Sequence, residues 1–153
     1  RDVFQETSCD VVFGDIRMVD TLGRIRRRWR GRDLKPGTLG GIQLPHPAVF
    51  VLREVLDQLE QPLDSSYKIS ADLKQQLILI ETKFCRTSYI PEELTCMRTG
   101  GDSTANLSGV ITGWVESARA YREVHGRSGV GFVLRKVFKK FKQLRIVKSE
   151  GDN

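Results

Sequence analysis

The chain has 153 residues, about one domain's worth of polypeptide. Hydrophobic residues at 39%, charged residues at 29% and only five prolines exclude wholesale disorder, and no run approaches the ~18 uncharged apolar residues of a membrane span. Of the 25 basic residues, 13 fall in two acid-free runs, Arg24–Arg32 and Arg135–Lys148; the rest of the chain has 12 basic against 19 acidic residues, net −7, an acidic body with two phosphate-seeking patches.

In chain order, Asp10–Ile16 (DVVFGDI) is apolar and β-branched and predicts a buried strand. Asp20–Gly23 reads as a turn, and Arg24–Trp29 as a returning, exposed strand. The Gly- and Pro-rich stretch Arg30–Pro47 predicts loops. Ala48–Leu52 predicts a short strand that runs into a helix through about Leu59. Ser70 is the expected N-cap of a helix starting at Ala71, with Leu73, Leu77, Ile78 and Ile80 on its apolar face. Phe84–Ile90 predicts a strand stopped by Pro91. Leu107, Val110, Ile111, Trp114, Val115, Ala118 and Tyr121 follow helical spacing, with a stop at His125-Gly126. Arg127–Gly131 reads as a linker and Phe132–Val147 as a last helix. The alternation predicts an α/β fold.

Cys9, Cys85 and Cys96 form no C-x-x-C pair, which argues against a disulfide framework or a zinc cluster. No charged-then-apolar leader follows Arg1. A reduced, cytoplasmic setting is the expectation.

Five segments carry a more specific pattern: Gly14-Asp15; His46 with Phe50 and Arg53; Tyr67–Asp72 (YKISAD); Tyr89–Leu94 (YIPEEL); and Met97–Ser103 (MRTGGDS). In this order and spacing they resemble the C-terminal half of bacterial family 2 glycosyltransferases of the colanic-acid and exopolysaccharide type. The resemblance covers about residues 10–125. It implies the acceptor half of a GT-A, Rossmann-like domain over 1–126; the residues after it read as a basic amphipathic helical tail over 127–153. It further implies inverting transfer of a sugar from a nucleotide-sugar donor to a glycan acceptor, lipid-linked, in bacterial surface polysaccharide synthesis. The D-x-D pair that holds Mg or Mn in that family is absent from this sequence. The metal ligands and the donor half are therefore expected upstream, none of the 153 residues is expected to bind metal, and the isolated chain is expected to be inactive.

Within the resemblance Asp72 takes the role of catalytic base, since an attacking hydroxyl must lose its proton and a first-turn carboxylate is favoured by the helix dipole. Read without the resemblance, Asp72 is a helix-capping residue. Leu73-Lys74 stands where the family usually has an acidic or aromatic residue. His46, fixed between two prolines, Asp15, at a strand end, and the loop residues Gly100, Gly101 and Ser103 are the expected substrate contacts. A histidine satisfied in a loop, a turn-forming aspartate and an ordinary Gly-Gly loop are their structural alternatives.

In the last segment Leu134, Val137, Phe138, Phe141 and Leu144 share one helical face. Arg135, Lys136, Lys139, Lys140 and Lys142 lie elsewhere on it. Such a helix suits an anionic membrane, hence a peripheral position on the inner face of the plasma membrane; a helix packed on the body is the alternative. Trp29 lies inside the first arginine run, but no nucleic-acid-binding signature accompanies it, and no nucleic acid is expected. The rival to the enzyme is a basic, non-enzymatic module that meets anionic membrane or nucleic acid.

Overall fold

A run of six buried residues, 11–16, makes β1 (Val11–Val19) the strand on which the others assemble. The computed structural model describes residues 2–99 and 107–138, and within them the chain is α/β, with four strands and five helices. Along one side of β1 runs β4 (Thr87–Arg98), parallel. Along the other lie two antiparallel strands end to end: β2 (Ile25–Trp29) beside residues 16–19, and β3 (Val49–Val51) beside residues 11–13. The β1–β2 turn follows its chemistry. Asp20 Oδ1 accepts the N–H groups of Leu22 and Arg24, and Gly23 adopts φ +76°, a left-handed position that glycine takes without strain.

Val11 and Phe13 on β1 face a core closed by Leu39, Leu44, Tyr67, Leu73, Leu77, Leu79, Ile80, Ala120 and Phe132. The helices follow in chain order: α1 (Asp2–Thr7), α2 (Arg53–Leu56), α3 (Ala71–Leu77), α4 (Leu107–His125) and α5, residues 130–138. A single π-helical turn, Ile78–Thr82, extends α3; its Lys83 N–H reaches the Ile78 carbonyl.

Several expectations are corrected. The strand expected to stop at Pro91 runs on to Arg98. Between the pairs Phe13↔Tyr89 and Asp15↔Glu93 the register slips, so Ile90, Pro91 and Glu92 bulge opposite Gly14. A bulge tolerates the missing proline N–H. Gly14 makes room for it, because a Cβ there would lie 2.5 Å from the Leu94 side chain.

Ser70 does not cap α3 with its side chain. Its hydroxyl instead donates to the Gly113 carbonyl of α4. The approach to α3 is held from α4: Glu116 accepts the backbone N–H groups of Lys68, Ile69 and Ser70, each at 2.9 Å.

The apolar stripe of α4 faces outward, with Ile111, Trp114 and Val115 exposed. The face toward α3 carries small residues, Gly109, Ser117 and Ala120 among them, all buried. Small side chains allow close backbone approach, and Gly113 lies against Ile69. The segment after residue 126 is docked on the body, at least through residue 138. Phe132 is buried and stacks on Tyr121 at 5.0 Å, and a Cβ on Gly129 would strike the Ala118 backbone.

Candidate functional site

The Tyr67–Asp72 segment is the most heavily tied loop in the described structure. Besides the three N–H groups held by Glu116, the Tyr67 hydroxyl donates to Glu123 at 2.8 Å, and the Arg119 guanidinium lies 4.4 Å from the Tyr67 ring centre. Lys74 Nζ bridges Asp64 and Glu123, each at 2.7 Å. That ammonium is the main reason Asp64 sits well below the ordinary carboxylate range and Glu123 falls to about 2. Burial alone would raise the Glu116 carboxyl; its three backbone donors outweigh this and lower it. The sequence reading missed Glu116, Glu123 and Lys74, whose partners lie far along the chain.

Asp72 emerges half-buried from this clamp. Its Oδ1 accepts the Leu73 N–H, and its Oδ2 accepts Gln43 Nε2 at 2.8 Å. The neighbouring Leu44 N–H donates to Gln76 Oε1, so residues 43–44 are stitched along α3. His46 follows, exposed, at the start of a 3-10 turn, His46–Ala48. The structure thus links Asp72 to the segment that ends at His46.

Asp15 is not brought to this group. It is 8% exposed, and its Oδ1 accepts both the Gly31 N–H at 2.8 Å and the Tyr89 hydroxyl at 2.7 Å. Burial first, and then the Asp15 carboxylate, push the Tyr89 phenol up to about 12. Gly31 is the floor for that ring, since a Cβ there would lie 2.7 Å from it. The described bonds of Asp15 tie the β2 exit to β4. Gly100, Gly101 and Ser103 lie outside the described residues, as do Lys139, Lys140 and Lys142.

The first basic run is engaged within the sheet. Arg24 and Arg26 each place Nε 2.9 Å from Asp20 Oδ2; Arg28 and Arg17 meet Glu93. In the second run Lys136 turns inward, its Nζ 2.9 Å from Ser117 Oγ, which corrects its expected place on the cationic surface.

A cleft of about 330 Å³ opens at the far end of α3. Its walls are the glycine loop 37–41, Glu81 on the π turn, Phe84, and Tyr121, His125, Arg127, Phe132 and Arg135 from the α4–α5 junction. Glu81 organises it: Oε1 accepts the Leu39 N–H at 2.7 Å, and Oε2 lies 2.8 Å from His125 Nε2, off the line of a hydrogen bond. In the sequence these residues fall in the 30–47 loop, at the start of the strand expected from Phe84, on the helical stripe that ends at His125, in the linker, and in the last helix, where Arg135 is expected at a membrane surface. The one local signal was the density of glycine in 37–41.

Comparison with protein-family models, with curated proteins and with solved structures finds no match to this chain.

Proposed function

We propose that the chain is the acceptor side of an inverting GT-A glycosyltransferase that builds bacterial surface polysaccharide. The observation that carries this reading is the fixed placement of Asp72. A carboxylate at the start of α3, partly open to solvent, is held by a network that spans Tyr67, Glu116 and Gln43. Such rigidity is what a general base needs. The acceptor hydroxyl attacks the anomeric carbon of the nucleotide sugar, its proton passes to Asp72, and the nucleoside diphosphate leaves from the opposite face. His46 stands at the end of the stitched segment as an acceptor contact.

The donor half joins as further strands. β3 has no partner on its outer edge among the described residues, and its Phe50 is half exposed; an open edge of this kind accepts added strands. Among the described residues no three His, Cys, Asp or Glu side chains are grouped to hold a metal ion. The Mg or Mn that the resemblance implies would be held by the donor half.

The lipid-linked acceptor implies work at an anionic membrane surface. No helix among the described residues is long and apolar enough to cross a membrane. The outward residues Ile111, Trp114 and Val115 of α4 and Val130, Leu134 and Phe138 of α5 support a peripheral contact. Co-sedimentation with vesicles containing phosphatidylserine should fall severalfold for a Trp114→Glu, Leu134→Glu double variant; unchanged sedimentation would remove the membrane contact.

The test of the activity is sugar transfer by the polypeptide that joins this chain to a nucleotide-sugar-binding half. Asp72→Asn should lower the transfer rate by about 10²–10⁴-fold with donor binding retained. Near-normal turnover would reject Asp72 as the base.

A further inference from the structure

We infer that the cleft between the glycine loop 37–41 and the α4–α5 junction is a second binding site, one that takes a ring-bearing phosphate monoester. It stands apart from Asp72. Glu81 follows Asp72 by nine residues, so the two lie roughly 13 Å apart along the helix axis.

The cationic side of the cleft is Arg127 and Arg135, which meet no carboxylate among the described residues. Elsewhere Arg17, Arg24, Arg26, Arg28, Arg86 and Arg119 all do. Arg135 is placed by Gly41: a Cβ at Gly41 would lie 3.2 Å from Arg135 Cβ, and Gly41 itself holds φ +72°. A side chain at position 41 would be strained and would push the arginine away. The one acidic wall residue, Glu81, is already engaged by the Leu39 N–H and by His125. The cleft is therefore lined by two arginines, the side chain whose planar guanidinium suits a phosphate.

The ring-binding side is Phe84. Its backbone has φ +53°, and its side chain is 69% exposed. A bulky residue is rarely held left-handed, and strain of this kind collects at ligand sites. The ring does not serve the core. It lies against Gly37, where a Cβ would come within 2.9 Å, and so lines the cleft as an aromatic plate. The wall beside it is a π turn, another feature common at functional sites. The stacked rings of Tyr121 and Phe132 also line the cleft. A volume of about 330 Å³ is at the small end of ligand pockets and fits one ring with its phosphate.

The test is calorimetric titration of the whole chain with phenyl phosphate and, separately, with inorganic phosphate. Phenyl phosphate should bind saturably at one site. Arg127→Gln and Arg135→Gln should each weaken both probes by about tenfold or more, the worth of a charge-assisted hydrogen bond. Arg26→Gln removes the same charge from the β1–β2 hairpin and should change neither. Phe84→Gly relieves the left-handed strain, so its melting temperature should hold or rise; it should weaken phenyl phosphate severalfold and leave inorganic phosphate unchanged. The site is rejected if phenyl phosphate shows no saturable binding, if Arg26→Gln weakens it as much as Arg135→Gln does, or if Phe84→Gly leaves it untouched.

Discussion

Two arginine-rich regions of this chain are used in opposite ways. On the β1–β2 hairpin, Arg24, Arg26 and Arg28 each hold a carboxylate at 2.9 Å. At the cleft, Arg127 and Arg135 hold none among the described residues. The same contrast divides the carboxylates. Asp15 and Glu116 have spent their charge on N–H and hydroxyl donors of the protein, whereas Asp72 sits half-buried with only a neighbour N–H and one amide on it. Charge used inside the fold steadies it. Charge held in place but left open is available to a ligand. Exposed pairs such as those of the hairpin are worth at most about 1 kcal/mol each, so the hairpin's arginines matter less to stability than their number suggests.

The strongest challenge to the contrast is at Asp15. Asp15→Ala strands the Gly31 N–H and the Tyr89 hydroxyl in a half-buried place, and each orphan there costs about 1–2 kcal/mol. Denaturant unfolding should therefore show a loss of roughly 2–4 kcal/mol in total, a loss that would be missing if Asp15 were a mere turn residue. A smaller effect is expected from the Lys74 bridge. Because the folded-state carboxyl of Glu123 is drawn down to about 2 from about 4.5, chiefly by Lys74, its contribution is complete above pH 4.5. It is lost as pH falls from about 4.5 toward 2. Melting temperatures followed across that window should decline less steeply in Lys74→Met than in the wild type; equal slopes would show that the bridge is not what lowers Glu123.

Much of the sheet was legible in sequence. The β-branched run at residues 10–16, the Asp20–Gly23 turn and the Gly126 stop of α4 are local signals, and the structure has them where expected. Three things were not legible, each because the deciding partner is distant or small. Pro91 looks like a stop unless one knows that Gly14 on the neighbouring strand accommodates a bulge. Ser70 is a good local cap, but its hydroxyl is drawn instead to the Gly113 carbonyl, 43 residues away. On α4 the largest apolar residues suggested the buried face, yet close packing on α3 favoured the small ones. Of the candidate site, Asp72 is bonded to Gln43, three residues before His46, while Asp15 is engaged elsewhere. The cleft escaped notice altogether, because its walls come from four separate stretches and no one of them carries a motif.

The most direct measurement compares Asp72→Asn with Glu116→Gln side by side, in a polypeptide that joins this chain to the proposed nucleotide-sugar-binding half. Transfer rate and melting temperature are read together. Asp72→Asn should lose about 10²–10⁴-fold in rate with little change in melting temperature, while Glu116→Gln should melt several degrees lower because the approach to α3 loses the carboxylate that holds three of its N–H groups. An Asp72→Asn protein that transfers sugar at the wild-type rate would contradict the role of Asp72 as the base.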